Sequence, residues 1–266
     1  MQKKLIWLLP CLLLAACTQH LQDGPPPFHV NADHIPDALP RSLPKSPYGN
    51  PNFYVVHGTR YHVLQTAHGY SKRGIASWYG TKFHGHLTSS RELYNMLGMT
   101  GASTELPIPS FVRVTNLENG KAVIVKINDR GPFSPNRIID LSYAAAKKLG
   151  YAEKGTALVE VATVSMNHST PPSKPSTPTF VSVAHRAQPK LYLQLGAFRQ
   201  WQRAQQLKIR AAALTKKSII IQKIIYQRLP LYRVQIGPLV GVGESDHLQS
   251  KLQKLGFGNI PVSIHF

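Results

Sequence analysis

Apolar residues alternate with bulkier or charged ones along Val123-Ile124-Val125-Lys126-Ile127, the pattern of a half-buried strand. The run ends in a polar tip, Asn128-Asp129-Arg130, and Gly131-Pro132 breaks it at once. Residues 111–117 alternate in the same way and return through Glu118-Asn119-Gly120, so the two runs predict a hairpin. Residues 53–56 and 60–64 predict two strands about His57-Gly58-Thr59. Further strands are predicted at 74–80, 138–139 and 157–164. Asp140-Leu141-Ser142 offers N-cap oxygens to a helix from Tyr143 to Leu149, which Gly150 stops. Asp140 is read as a capping residue with no catalytic role. Many short strands with one small helix predict a closed β-barrel.

A second pattern occupies the C-terminal third. Strands are predicted at 191–198, 218–226, 231–237 and 260–266. A helix over 200–215 gathers Trp201, Ala204, Leu207, Ala211 and Leu214 on one face. Another over 245–255 carries Leu248, Leu252 and Leu255 and ends at Gly256. The order is β-α-β-β-α-β, a ferredoxin-like or RNP-like α+β unit. RNA-recognition modules share that order, but no stretch here resembles their base-stacking RNP1 motif, so nucleic acid is not expected as a partner. Alternation puts Gln194 and Phe198 on one face of their strand, and Arg233 and Gln235 on one face of theirs.

Composition bounds the chemistry. The 266 residues leave room for two small domains. A formal charge of +19 seeks anions: nucleic acid, acidic lipid or an acidic polymer. The two cysteines, Cys11 and Cys17, both lie near the N-terminus, so the body holds no disulfide and no cysteine metal site. No metal and no cofactor is expected.

The N-terminus reads as an export signal. Lys3 and Lys4 precede an apolar run from Leu5 to Leu14, about ten residues, too short to span a bilayer. Leu14-Ala15-Ala16-Cys17 resembles the bacterial lipobox, which implies cleavage after residue 16 and a diacylglycerylated Cys17. The alternative is an ordinary secretory peptide cut near Ala16. Thr18 stands where aspartate would retain a lipoprotein at the inner membrane, so the outer membrane, facing the periplasm, is expected. Prolines 25–27, 36, 40, 44, 47 and 51 make 17–51 an extended tether that lets an anchored domain reach away. The domains expected are a barrel over 52–166 (core 74–165), a Ser/Thr/Pro linker over 167–187, and the α+β unit over 188–266.

Several motifs come in order: Gly-Ile-Ala-Ser-Trp-Tyr-Gly (74–80), Phe-His-Gly (83–85), Thr88 to Glu92, Val-Arg-Val-Thr-Asn-Leu (112–117), Asn-Asp-Arg-Gly-Pro-Phe (128–133) and Arg-Ile-Ile-Asp-Leu-Ser (137–142). Together they resemble the rare lipoprotein A family. The resemblance implies a six-stranded double-psi β-barrel and an endolytic lytic transglycosylase of peptidoglycan. Its site is a Glu, a His and an Asp. The glutamate falls on Glu92 and the aspartate on Asp129, while the histidine position holds Ser103 and the glycine before the glutamate is Arg91. A serine hydroxyl hydrogen-bonds but does not exchange a proton near neutral pH as imidazole does. His84 and His86 stand nearby in sequence and are read first as surface or packing residues.

The chemistry implied needs an acid to protonate the leaving glycosidic oxygen. The sugar's own C6 hydroxyl then attacks the anomeric carbon and leaves a 1,6-anhydro end. One carboxyl can act as acid and then as base. Asp129 is expected in that role, with Glu92 stabilising the oxocarbenium-like charge or orienting the sugar. The simpler reading of Asp129 is an Asx turn with its own backbone and a pairing with Arg130.

Residues 192–198 and 232–239 resemble the two hallmark strands of SPOR domains. That resemblance implies binding to glycan strands lacking stem peptides, which are enriched at division septa. Gln194, Phe198, Arg233 and Gln235 are the expected glycan-binding residues, since amide and guanidinium donors suit sugar hydroxyls and lactyl carboxylates. The partners expected are denuded glycan, a membrane through the lipid anchor and, compatibly, division-machinery proteins. Two other readings stand beside the enzyme: a non-catalytic septal glycan-binding lipoprotein, and a basic envelope lipoprotein that binds acidic lipid.

Overall fold

The computed structural model describes residues 23–164, 188–258 and 260–266. The leader with Cys17, and the linker 167–187, lie outside the described residues. Among the described residues no helix is long and apolar enough to cross a membrane.

The barrel is built from β3 (Ser71–Tyr79), β4 (Thr100–Ala102), β5 (Ser110–Asn116), β6 (Ala122–Asp129), β7 (Arg137–Ser142) and β8 (Ala157–Thr163), after a separate hairpin of β1 (Phe53–Val56) and β2 (Thr59–His62). The six strands close in the order β3-β7-β4-β6-β5-β8. The alternating residues read from the sequence fill it: Val112, Val114, Val123, Val125, Ile127, Ile139, Leu141, Val159 and Val161 are all buried. The hairpin of β5 and β6 forms with Val112 opposite Val125 and Val114 opposite Val123. Its turn uses Gly120 at φ +75°, a conformation that costs glycine little. The strand β4 has no signal in the pattern; three residues are too few for one.

Helix α1 (Tyr143–Leu149) starts at Ser142, whose side chain accepts the Ala145 N–H, and stops at left-handed Gly150. The cap is therefore Ser142 alone. Asp140 sits two residues earlier, inside β7, and its carboxylate accepts a hydrogen bond from the Ser77 hydroxyl on β3. This corrects the reading of Asp140 as a capping residue: β7 runs past it before the chain turns.

Residues 23–50 lie along the barrel, which corrects the expectation of a free tether through that segment. The prolines do keep it extended, but its polar groups are matched by barrel loops. Asp23 accepts the N–H groups of Gly80 at 3.0 Å and Lys82 at 3.1 Å. Asp37 accepts the Ile124 N–H at 2.9 Å and pairs with Lys148 at 2.7 Å. Asn50 exchanges two hydrogen bonds with the Ile108 backbone, at 2.8 and 2.7 Å. Val30 and Ala32 join the barrel core. Composition reports local stiffness and says nothing of such docking.

The second domain runs β9 (Lys190–Phe198), α2 (Trp201–Ala212), β10 (Ile219–Tyr226), β11 (Leu229–Leu239), α3 (Val242–Lys254) and β12 (Val262–His265), with sheet order β10-β11-β9-β12. Leu193, Val234 and Ile236 pack with Ala204, Ala211, Leu248 and Leu252 of the helices. Helix α3 also meets the barrel: Arg137 pairs with Asp246, and Asn136 donates to Gln249.

One residue of β9 changes faces relative to the sequence pattern. Gln194 pairs with Gln235, but the next pairs are Gly196 with Val234 and Phe198 with Tyr232. Leu195 is thus an extra residue, a β-bulge, and parity inverts beyond it. Phe198 therefore lies on the helix side, where it and Leu207 close over Gly196. The expectation that Phe198 shares a face with Gln194 is corrected.

Candidate active site

The end of β6 carries the site. Plain alternation would turn Asp129 inward with Ile127. Instead Gly101 pairs with Ile127 and Ala102 with Asp129, so Asn128 is an extra residue. This second bulge turns Asn128 and Asp129 to the same outer side, a device common next to active sites.

The loop before β4 closes over them as a small hairpin. Tyr94 N–H reaches the His86 carbonyl at 2.8 Å, Thr88 N–H the Glu92 carbonyl at 2.8 Å, and Arg91 N–H the Thr88 carbonyl at 2.9 Å. The Ser90 N–H docks on the Asn128 carbonyl at 3.2 Å. Arg91 holds φ +70°, a left-handed turn position that favours glycine. Its guanidinium lies 5.4 Å from the centre of the Tyr48 ring, which returns some of that strain.

This loop fixes both carboxylates. Asp129 Oδ1 accepts the Ser89 N–H at 2.8 Å, the Ser89 hydroxyl at 2.6 Å and the Arg130 N–H at 2.7 Å. Among the described residues nothing hydrogen-bonds to Oδ2. Glu92 Oε2 accepts from Lys126 Nζ at 2.7 Å and from Asn128 Nδ2 at 2.9 Å. Burial pushes the Glu92 carboxyl up, but these two hydrogen bonds and the Lys126 charge outweigh it, and its pKa lies below the usual 4.5. Glu92 is ionised at neutral pH.

Arg130 does not pair with the Asp129 carboxylate. Its Nε donates to the Gly49 carbonyl at 2.7 Å and its Nη1 to the Ser103 and Leu106 carbonyls at 2.8 and 2.6 Å. It thereby pins the arm and the loop after β4. Of the simple reading of Asp129, neither part is present among the described residues: its carboxylate accepts the N–H of the next residue, Arg130, and not that of Gly131 as an Asx turn requires, and the ion pair is absent.

Ser103 is brought to the site by its backbone: its N–H donates to the Asp129 carbonyl at 3.0 Å. The side chain is buried, and Oγ accepts the N–H groups of Leu106 at 3.1 Å and Glu105 at 3.3 Å. It caps its own turn. His84 and His86 are exposed, and His84 Nδ1 accepts the Met96 N–H at 3.3 Å. Among the described residues no group of three or more His, Cys, Asp or Glu is placed to hold a metal ion.

On the second domain, Gln194 and Gln235 are paired across β9 and β11, and Arg233 opposite Ala197 shares their side. Gln235 is fully buried, its Nε2 3.2 Å from Nε2 of His265. Ser263 Oγ also lies 3.0 Å from that nitrogen, and the Tyr192 ring lies against the imidazole at 4.6 Å. Burial and then the Arg233 charge push the His265 pKa below its usual value. Sequence reading missed His265, Ser89, Asn128 and Lys126. Polar residues at the end of a strand or in a Thr-Ser-Ser loop were the available signal, but spacing alone does not say which carboxylate they hold.

Residues 71–161 match the lytic transglycolase family of double-psi barrels, and residues 187–263 match the SPOR domain family. The endolytic peptidoglycan transglycosylase RlpA of Pseudomonas aeruginosa (strain UCBPP-PA14) is 36% identical over 284 residues, covering 89% of this chain and 83% of its own. Its namesake in Vibrio cholerae is 44% identical over 178 residues, 65% of this chain and 67% of that protein. The crystal structure of the RlpA SPOR domain from Pseudomonas aeruginosa aligns with 27% of this chain and 96% of its own at 27% identity and a TM-score of 0.27. With a double-psi barrel followed by a SPOR domain, and identity that runs through both, the chain belongs to the RlpA family.

Proposed function

We propose that the barrel is an endolytic peptidoglycan transglycosylase that cleaves glycan strands free of stem peptides and leaves 1,6-anhydromuramic ends. The observation that carries the reading is the state of Asp129. Its Oδ1 is clamped by Ser89 while Oδ2 has no hydrogen bond from any described residue, with ionised Glu92 held on the same loop. A fixed carboxyl with one free oxygen is placed to exchange a proton with a sugar. Glu92 is the charge that faces the oxocarbenium-like transition state. Its partners keep it an anion, which suits stabilisation and not acid catalysis.

In the simplest scheme the Asp129 carboxyl handles both proton transfers. The glycosidic C1–O bond breaks as its oxygen gains a proton, and the C6 hydroxyl of the same sugar attacks C1. Asp129 takes the hydroxyl's proton. The SPOR domain gathers the enzyme on denuded strands, which raises substrate concentration at the barrel without new contacts there.

The chain works in the cell envelope, lipid-anchored through Cys17 to the outer membrane and enriched at the septum. Residues 17 to 22 alone separate Cys17 from docked Asp23, so the anchor leaves at most roughly 20 Å of slack. The barrel is held near its membrane, and the SPOR domain follows it.

The test uses the chain from Thr18 onward with amidase-treated glycan strands, read by mass spectrometry. Anhydromuramic ends are expected, and more from denuded than from peptide-bearing strands. Reducing ends without the anhydro bond would mean a hydrolase. Ser103 favours one second reading: its hydroxyl is spent on its own turn and replaces no imidazole, as expected of a glycan-binding barrel that does not cut. Intact strands that still bind the chain would establish that reading.

A further inference from the structure

The hairpin that precedes the barrel brings aromatic rings to the loop that follows Asp129. Strands β1 and β2 pair only with each other, and an isolated pair of short strands is marginal in water. Packing must hold it in place. Register sets Tyr54 opposite Tyr61, so both rings project from one face of the hairpin. They stack on each other at 5.4 Å. Phe133 meets both edge-to-face, 5.6 Å from Tyr61 and 6.3 Å from Tyr54.

The cluster is tied to the site. Tyr54 Oη donates to the Thr104 carbonyl at 2.9 Å, one residue after Ser103. The Arg130 guanidinium lies 5.9 Å from the centre of the Tyr54 ring. Burial pushes the Tyr54 phenol up to about 12, opposed by the Arg130 charge and helped by Tyr61, Asp129 and Glu105, so this hydroxyl stays a donor. Phe133 follows Asp129 by four residues, a reach of at most roughly 14 Å.

Two features go beyond what holding a hairpin requires. Phe133 keeps 38% of its surface exposed, although two tyrosines pack beside it. The Tyr61 hydroxyl has no hydrogen bond among the described residues, and it is not sealed from solvent. One ring is therefore open and one polar handle is unused, both within a short span of the fixed carboxyl. Continuity with the Asp129 site names the occupant, which is the strand being cut.

We propose that Phe133 and Tyr61 form a sugar-stacking subsite for the glycan strand, beside the bond that is held at Asp129. The subsite rests on the transglycosylase reading for its substrate and adds two binding residues to it. The C–H bonds on the flat side of a pyranose are slightly positive and pack on the negative face of the Phe133 ring. The Tyr61 hydroxyl bonds a sugar hydroxyl or an N-acetyl carbonyl. Tyr54 does not touch the sugar; it braces Phe133 and anchors the hairpin. Stacking reads the pyranose ring and not its charge, so N-acetylglucosamine and N-acetylmuramic acid units both fit. The contact is made equally before and during bond breaking, so it lowers KM and leaves kcat alone. A subsite set apart from the cleaved bond favours strands long enough to cover both, which is what an endolytic enzyme needs.

The deciding experiment compares the full chain in detergent with its Phe133→Leu, Phe133→Tyr and Tyr61→Phe variants on denuded strands. Phe133→Leu keeps an apolar side chain in the seam but removes the ring. It is expected to raise KM about fivefold, with kcat within about twofold and the melting temperature within about four degrees. Phe133→Tyr restores a ring and should stay within about twofold of the unaltered KM. Tyr61→Phe removes only the hydroxyl and should raise KM about threefold. An unchanged KM in Phe133→Leu overturns the subsite, as does a Phe133→Tyr variant no better than Phe133→Leu. If Phe133→Leu melts early, Tyr61→Phe decides, and an unchanged KM there overturns the subsite.

Binding is read separately by NMR, on the ring signals of isotope-labelled Phe133 and Tyr61 as a short denuded oligomer is added. Shifts of both rings that saturate support the subsite, and unmoved rings overturn it. Strands left intact by the unaltered chain, with ring signals that still shift, would end the transglycosylase reading and keep the subsite.

Discussion

Ser89 holds Asp129 twice, through its N–H at 2.8 Å and its hydroxyl at 2.6 Å, both on Oδ1. The same hydroxyl accepts the Arg130 N–H at 3.1 Å, so one serine sets both the carboxylate and the turn beneath it. In Ser89→Ala the backbone bond survives and the hydroxyl is lost. Turnover on glycan should fall about tenfold, from a hydrogen bond to a charged group of roughly 1.5 kcal/mol, with substrate binding nearly unchanged. Steady-state kinetics on denuded strands checks the split.

Lys126 sets the charge of Glu92. Because the folded carboxyl titrates below its usual 4.5, its contribution to stability is present above that value and is lost as pH falls through the folded one. Lys126→Met removes the ion pair at 2.7 Å and should move the Glu92 titration upward. Side-chain carboxyl NMR reads it directly. Glu92→Gln should cost activity over the whole pH range, about 100-fold, because the stabilising charge is absent at every pH.

The arm should matter to folding. A chain that begins at Asn52 loses the Asp37 contacts to Ile124 and Lys148, the Asn50 pair with Ile108 and the Arg130 bond to Gly49. The expected result is a melting temperature lower by ten degrees or so, from several partly buried hydrogen bonds at about 1 kcal/mol each. An unchanged melting temperature would restore the free-tether picture.

On the SPOR domain, stability and binding should separate by face. Phe198→Ala removes a ring packed beside Leu207 and should cost about 3 kcal/mol of stability, while the folded fraction keeps its glycan affinity. Arg233→Ala should weaken glycan binding several-fold and leave the melting temperature within about two degrees. Pull-down on denuded sacculi and a thermal melt distinguish the two.

Much of this was legible in the residues. The alternation of 123–127 and the Asn-Gly turn gave the central hairpin, and the polar tip gave Asp129. The order of the second domain followed from periodicity alone. What failed has separate physical causes. A bulge adds a residue without leaving a mark in the hydrophobic pattern, so the faces of Asp129 and Phe198 could not be read. Asp140 looked like a cap because it precedes a helix, whereas β7 runs past it and its carboxylate accepts from Ser77 of β3, a residue from a distant part of the chain. The proline-rich arm disclosed its conformation but not its docking, because Asp23 and Asp37 meet partners that only the folded barrel supplies.

The most direct test of the central claim is mass spectrometry of denuded glycan after incubation with the chain and with its Asp129→Asn variant, beside a binding assay for each. The account predicts 1,6-anhydromuramic ends from the first, none from the second, and equal binding by both. Equal product from the two proteins would show that Asp129 does not carry the chemistry and would contradict the account.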